Sequence, residues 1–392
     1  MSPRRATLWL LAISVGARLA VLAVLGFAPE PYEYEDLADS LLAGHGYQRE
    51  LYGAIHRAQG PPLYAFLCAG VYAVTGHSRL AVVLVQIATS SLLSVIVLRL
   101  GRRLGRSTGS SFAAALVPAL HPGLIIYAVR KLHPLNLDAL LIATSLLALL
   151  RARDAGRLRP FAAAGVLLGV TILSRPTIGL FVLAAAGWLA CTAASGKRLS
   201  GPILLVCSAA LIVAPWTIRN ALVFHQLVPI TTDTGELFWR GNHTGASGSG
   251  YLPNGRPVFA DAPPALQQAI ASRNELERQA FFFHEGVVFA RTQSAAFLRL
   301  LGMKWLSFWW FPSTAGRQYP PTWLRLYQLA YAPLLLLTLM GAPRRWRRLD
   351  HAGRQALILI SLLMLCLSVA QSLFYVDVRH RWTIEPLFGL LV

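Results

Sequence analysis

The chain has 392 residues, of which 55% are hydrophobic and only 14% are charged, and its mean hydropathy is +0.52. These values exclude an ordinary soluble globular protein. The net charge of +19 does not indicate a nucleic-acid partner, because the basic residues form short clusters between apolar runs and no continuous face.

Nine apolar runs approach the roughly 20 residues that a membrane-spanning helix needs. If the N-terminus is cytoplasmic, the short loops between alternate runs are rich in basic residues, as the positive-inside rule requires. We interpret the first run, which follows Arg4 and Arg5, as a retained signal-anchor helix. The candidate spans are residues 7–27, 79–98, 110–128, 135–150, 160–174, 177–194, 200–217, 325–341 and 354–374.

Two apolar segments do not fit this alternation. Residues 61–76 are short and begin with a Pro-Pro pair, so we predict a re-entrant or interfacial helix on the outer surface. The last apolar run follows Pro386 and stops at Val392, which indicates either a truncated span or a membrane-associated end.

The predicted fold is therefore an all-α, polytopic membrane protein with about nine to ten transmembrane helices and two large external loops. Residues 1–218 form an N-terminal transmembrane module that includes the first external loop, residues 28–78. Residues 219–324 form the second large external loop, and residues 325–392 carry the C-terminal transmembrane helices.

The first external loop contains an acidic amphipathic segment. Apolar residues recur at helical spacing over residues 32–43, which predicts a helix lying flat on the membrane, and five carboxylates crowd into residues 30–39. One carboxylate could serve as a general base while others tune it or hold a divalent cation. From spacing alone, a solvated acidic face is the commoner explanation of such a charge run.

Several motifs in this order resemble the GT-C glycosyltransferases, in particular the bacterial branch related to protein O-mannosyltransferases and aminoarabinose transferases. The resemblance covers essentially the whole chain. It is carried by residues 30–38, 44–47, 60–64, 165–176, 215–220, 235–242 and 304–309.

The resemblance implies an inverting glycosyltransferase of the GT-C type in the bacterial inner membrane. Like a mannosyltransferase, it would transfer a hexosyl or pentosyl group from a polyprenyl-phosphate-sugar donor to a protein, lipid or polysaccharide acceptor. The implied topology has a cytoplasmic N-terminus and a periplasmic active site.

In that family the catalytic carboxylate lies four residues before an aromatic residue that opens the amphipathic helix. Matching on Tyr34 places Glu30 at this position, although the family usually has Asp there. Glu33 is the second candidate and Asp36 the third.

Displacement at a sugar C1 also needs positive charge on the departing phosphate. The candidates for holding the phosphate are Arg175, Arg219, Lys131, Lys304 and Arg381, with lipid-headgroup contact as the competing interpretation. Arg18 lies inside the first span, where burying its charge costs free energy. Asp138 is its candidate partner, and snorkelling of the side chain to the helix end is the alternative.

Sugar or acceptor contacts are expected from Tyr34, Tyr64, Trp239 and Asn242, since aromatic rings stack on sugars and the last two lie in a Gly-rich stretch. A plain turn-rich loop explains that stretch equally well. The histidines lack metal-ligand spacing, so no metal site is assigned. A transporter or flippase of lipid-linked glycans is the alternative function, and a non-catalytic assembly subunit is a third.

Overall fold

The computed structural model describes residues 1–51, 53–193, 196–252, 254, 256–259, 262–312, 314 and 319–392. Helices dominate the described residues. The first eight are α1 (Pro3–Leu25), α2 (Glu33–Leu42), α3 (Pro62–Thr75), α4 (Arg79–Arg103), α5 (Thr108–Leu120), α6 (Pro122–Val129), α7 (Leu135–Arg153) and α8 (Arg159–Ser174). A short hairpin of β1 (Arg49–Leu51) and β2 (Ala54–His56) follows α2.

The second half of the chain continues in the same way. After a 3₁₀ turn (Pro176–Ile178) come α9 (Gly179–Thr192), α10 (Ser200–Phe224), α11 (Thr234–Arg240), α12 (Pro264–Ala271), α13 (Glu275–Thr292) and α14 (Ser294–Trp309). They are followed by α15 (Pro321–Arg348), α16 (His351–Leu373) and 3₁₀ turns at Val378–Arg381 and Glu385–Leu390.

The helices confirm an all-α, multi-pass membrane protein. Among the described residues, α1, α4, α7, α10, α15 and α16 are long and apolar enough to cross a bilayer. The pair α5 and α6, bent by 48°, forms a seventh candidate span, and α3, α8 and α9 with its preceding turn are shorter apolar helices. Each predicted span coincides with a helix, the third with the bent pair, and the predicted amphipathic helix is α2.

The bundle has two different ends. We call the end that carries residues 26–61 and 225–293 the loop end, and the opposite end, with the turns at 99–107, 151–159 and 344–354, the basic end. Arginines concentrate at the basic end, as the sequence pattern predicts for one side of a membrane.

Small residues bring α8 and α10 into close contact. A Cβ atom at Gly165 would lie 2.2 Å from the Leu205 carbonyl oxygen, and one at Gly169 would lie 2.7 Å from the Ala209 carbonyl oxygen. The two glycines therefore form a groove that admits the backbone of α10. This packing fixes α8, whose C-terminal end carries Arg175.

We expect Gly165→Ala to destabilise the protein, because the added methyl group must push α10 away at a typical cost of about 1–3 kcal/mol. Thermal unfolding in detergent measures the effect. The matched control is Gly187→Ala on α9, where no atom lies within 4 Å of the new Cβ and alanine favours the helix. Equal melting temperatures for the two variants would contradict the packing role of Gly165.

Arg18 is fully buried, but its partner is not Asp138 as the sequence suggested. Its guanidinium donates to the carbonyl oxygens of Pro118 (3.1 Å) and Ala119 (2.8 Å) and to the hydroxyls of Ser14 and Ser90. The carbonyls at the C-terminal end of α5 are left free where the helix breaks before α6, and a cation there satisfies them. The charge caps a helix end inside the bundle.

The amphipathic helix α2 buries its apolar face against protein. Tyr34, Leu37 and Ala38 pack in one cluster with residues of α3, while Asp36 on the other face is exposed. Buried Glu35 holds α2 in place by accepting hydrogen bonds from the Tyr72 hydroxyl (2.6 Å) and from the Nη2 and Nε atoms of Arg79 (2.7 and 2.8 Å). The start of α2 is thereby held at the loop end.

The segment after α16 turns back into the bundle. Residues 384–391 are buried, and the 3₁₀ turn at 385–390 packs on α5, where a Cβ at Gly389 would meet Ala114 at 2.9 Å. Its buried Glu385 pairs with Arg381 (2.6 Å) and His121 (2.6 Å). The last apolar run predicted from the sequence thus lies among the helices.

Candidate active site

A cavity of about 240 Å³ opens at the loop end of the bundle. Its walls come from the start of α2, the loop before α7, the junction after α8, the loop before α11 and the residues that follow α16. Segments distant in sequence therefore meet here. Both polar and apolar groups line it, which is typical of ligand sites.

Glu33 lines this cavity. We call Glu33 and Asp233, the two carboxylates of the lining that repel each other, the acidic wall. Glu33 is the first residue of α2, whose first turn carries three carboxylates that complement the positive end of the helix dipole. The side chain is half-buried and, within the described part of the chain, makes no hydrogen bond or ion pair. Its carboxylate is free to accept a proton from a ligand.

Asp233 lies on the same wall, in the loop before α11. Burial raises the pKa of its carboxyl to about 6, a hydrogen bond from Thr231 opposes the shift, and the charges of Glu236 and Glu33 add to it. Glu33 and Asp233 are thus near enough for their charges to repel. Ionisation of Asp233 is costly in the folded protein.

We expect Asp233→Asn to stabilise the folded protein while impairing function. The folded pKa of Asp233 exceeds its unfolded value of about 3.9, so folding is penalised as pH rises between the two values. Asparagine removes a penalty on the order of 2 kcal/mol that is complete above pH 6 and absent below pH 4. Melting temperatures of both proteins between pH 4 and 8 would measure it, and a constant difference across this range would contradict the assignment.

Asp138 and Arg175 both line the cavity and form an ion pair there. Asp138 is in the first turn of α7, and Arg175 ends α8 because Pro176 disfavours continuing the helix. Their side chains approach to 3.5 Å, and the hydroxyl of Ser174 donates to Asp138 at 2.5 Å. The Asp138 side chain is only 4% exposed, so the pair neutralises a buried charge.

Two arginines and two histidines also line the cavity, and we call them the basic wall: Arg175, Arg379, His133 and His380. Arg379 follows the end of α16 and lies 3.9 Å from Asp377 and 3.5 Å from the Tyr127 hydroxyl. His133 precedes α7, and the backbone oxygen of His380 accepts a hydrogen bond from Arg175 (3.3 Å). Arg175 and Arg379 thus bring two positive charges to the cavity that Glu33 and Asp233 also line.

The structure places the first catalytic candidate, Glu30, outside the residues that line this cavity. Glu30 is joined to Lys131 by a backbone bridge and by an ion pair, and its side chain is 54% exposed. Asp36, the third candidate, is 63% exposed and lies 3.7 Å from Arg49. Of the three carboxylates expected from the sequence, only Glu33 lines the cavity.

The predicted phosphate-binding cations are dispersed. Arg175 lines the cavity, whereas Lys131 pairs with Glu30 and Arg219 donates to the carbonyl oxygens of Arg57 (2.6 Å) and Tyr47 (3.1 Å). Arg219 thus holds the first loop in place.

The other two cations are buried elsewhere. Lys304 donates to the side-chain oxygen of Asn242 at 2.7 Å, and burial lowers the pKa of its amine to about 7. Arg381 forms its pair with Glu385 among the tyrosines of α15. Both contribute to packing around the second loop and the C-terminal segment.

Among the residues expected to contact sugar, Tyr34 lines the cavity. Tyr64 lies behind it, edge-to-face at 5.3 Å, and donates to Gln86. Trp239 stacks on His243 at 4.4 Å and is 8% exposed, and Asn242 is fully buried, donating to the carbonyls at 238 and 373. The last three lie apart from the cavity.

Sequence reasoning missed Asp233, His133 and His380, which also line the cavity. Their only sequence signals are polar residues beside a proline or at a helix start, which are common in loops. They converge because the loops before α7 and α11 and the segment after α16 end at the same end of the bundle. Within the described residues no group of three or more metal-ligating side chains is close enough to hold an ion.

Comparison with known proteins agrees with the motifs. The family model described as dolichyl-phosphate-mannose-protein mannosyltransferase matches residues 59–218, which confirms the resemblance to GT-C glycosyltransferases for that segment. No curated protein matches the chain.

The chain also resembles the crystal structure of ArnT from Cupriavidus metallidurans bound to undecaprenyl phosphate. The identity is 15% and the TM-score 0.46, over 98% of this chain and 77% of that one.

Proposed function

We propose that this protein is a membrane glycosyltransferase that moves a sugar from a polyprenyl-phosphate donor to a hydroxyl of an acceptor at the loop end of the bundle. The observation that carries the proposal is the cavity itself, which is lined by Glu33, a carboxylate with no hydrogen bond or ion pair within the described residues, and by the guanidinium groups of Arg175 and Arg379. The family match over residues 59–218 supports the donor class.

Orientation follows from charge. The basic end would face the cytoplasm under the positive-inside rule, so the cavity would open on the outer, periplasmic face of the bacterial inner membrane. The prenyl chain would remain in the bilayer while its phosphate and sugar reach the cavity. The acceptor, whether protein, lipid or polysaccharide, would enter from the aqueous side.

The reaction would be a single displacement. The acceptor oxygen attacks C1 of the sugar and gives its proton to Glu33, while the bond between C1 and the phosphate oxygen breaks. The bonding electrons leave with the phosphate, which gains negative charge beside Arg175 and Arg379. Attack from the side opposite the leaving group inverts the configuration at C1.

The charges that line the cavity suit this assignment. The acidic wall would repel the donor phosphate and leave Glu33 available to the acceptor, and the basic wall would attract the phosphate. Asp233 keeps the acidic wall negative at neutral pH, since its pKa is about 6. Glu30 would instead fix the entry to α2 through Lys131.

The test is a transfer assay with the purified protein in lipid nanodiscs. A panel of polyprenyl-phosphate sugars is supplied with extracted cell-envelope acceptors, and the released polyprenyl phosphate and the configuration of the new linkage are measured. We expect release with inversion for at least one donor. Donor translocation in vesicles without any sugar transfer would overturn the proposal in favour of a flippase.

A further inference from the structure

The two histidines on the basic wall share an arrangement that fixes their protonation. The Nδ1 atom of His133 accepts a hydrogen bond from the backbone N–H of Leu135 (3.1 Å), two residues ahead. The Nδ1 atom of His380 accepts from the backbone N–H of Asp377 (3.0 Å), three residues behind. An accepting Nδ1 carries no proton, so each neutral ring must carry its proton on Nε2.

Neither Nε2 atom has a hydrogen-bond partner among the residues that the structure describes. Both side chains are half-buried and both line the cavity, so the unused donor is at the ligand site. A donor that has no protein partner and belongs to a residue lining the cavity is available to an acceptor atom of a bound ligand. Two such donors on one wall indicate a ligand with several acceptor oxygens.

The surroundings keep both rings neutral. Burial holds the pKa of His133 well below its ordinary value, and Arg379, Arg175 and Lys131 lower it further. Burial acts in the same direction on the pKa of His380, helped by Arg379 and Arg175. The same two arginines therefore act on both histidines, so the four side chains belong to one group.

We propose that His133 and His380 bind the donor phosphate, each donating its neutral Nε2–H to a non-bridging phosphate oxygen beside Arg175 and Arg379. This inference rests on the proposed function for the identity of the ligand. Phosphate fits because it offers several acceptor oxygens and carries the charge that the two arginines attract. The histidines would add direction to the contact without adding charge.

Two substitutions remove the Nε2–H donor of a histidine and keep an acceptor in place of its Nδ1 atom. His133→Asn keeps a side-chain oxygen that can accept from the Leu135 N–H, as in an Asx turn, and removes the Nε2–H. His380→Gln keeps an oxygen for the Asp377 N–H, as in a capping box, and removes the Nε2–H. His45→Asn, in an exposed turn of the first loop, is the matched control.

The experiment measures equilibrium binding of a short-chain polyprenyl monophosphate and of the corresponding polyprenol to each protein in nanodiscs. We expect the first two variants to bind the phosphate about tenfold more weakly and the polyprenol unchanged, with His45→Asn equal to wild type. Unchanged phosphate binding, or an equal loss for phosphate and polyprenol, would overturn the inference.

The binding assay is independent of the transfer assay. If wild type transfers sugar but both histidine variants bind phosphate normally, only the histidine assignment fails. If phosphate binding depends on the histidines but no donor is consumed, the site stands and the transferase proposal fails. Absence of phosphate binding to wild type would overturn both.

Discussion

Glu33→Gln is expected to lower kcat for sugar transfer by about 10²–10⁴-fold, the range that general-base catalysis typically contributes. Glutamine keeps the shape of the side chain but cannot take up the acceptor proton. Because Glu33 is half-buried and makes no hydrogen bond within the described residues, its loss should leave stability and donor binding nearly unchanged. Steady-state kinetics with saturating donor would show the effect in kcat and not in KM.

The matched control is Glu30→Gln, the same substitution three residues earlier. Glu30 is 54% exposed and its pair with Lys131 is at the surface, where ion pairs contribute about 0–1 kcal/mol. We therefore expect activity within a few-fold of wild type. If Glu30→Gln is inactive and Glu33→Gln is active, the base is the residue that the family resemblance indicates, and the cavity geometry has been misassigned.

Arg175→Gln is expected to impair both stability and activity. Removing the cation leaves the Asp138 carboxylate buried with only Ser174 donating to it, at a cost of about 3 kcal/mol. It also removes one of the two charges facing the departing phosphate, so kcat/KM should fall by about 10²–10³-fold. Thermal unfolding and transfer kinetics measure the two effects separately.

The double variant Asp138→Asn/Arg175→Gln distinguishes these roles. It removes both members of the pair, so the unpaired charge disappears and most of the stability should return. Activity should remain low, because the phosphate still lacks its cation. Recovery of activity together with stability would mean that Arg175 acts only by neutralising Asp138. Arg57→Gln, on an exposed part of the first loop, serves as the control and should behave like wild type.

The helices could be predicted because their signals are local. Apolar runs identified every helix of the described residues that is long and apolar enough to cross a bilayer, and the period of Tyr34, Leu37 and Ala38 identified α2. They did not identify α13, which lies in the second large loop. The sequence also indicated that Glu33 lies on the polar face of α2. Ranking Glu33 against Glu30 depended on which of them meets Asp233 and Arg379, and those partners lie some 200 and 350 residues away in sequence.

The contacts of the cations could not be predicted from the sequence for the same reason. A basic residue after an apolar run indicates a membrane boundary, but not whether its charge faces a ligand, a carbonyl group or a carboxylate. Arg175 meets a carboxylate in the cavity, Arg219 meets two carbonyl oxygens, and Lys304 meets an amide oxygen. Tertiary packing decides which partner each cation has, so the composition and spacing of the sequence could not predict it.

The capping of α5 by Arg18 has a consequence for biogenesis. During synthesis α1 reaches the membrane before α4 and α5, and it carries a guanidinium whose acceptors at Ser90, Pro118 and Ala119 are translated 72 to 101 residues later. Until α4 and α5 arrive, that charge must stay with water or lipid headgroups. The insertion of α1 is therefore completed only when its later neighbours enter the bilayer, which makes it depend on the arrival of α4 and α5.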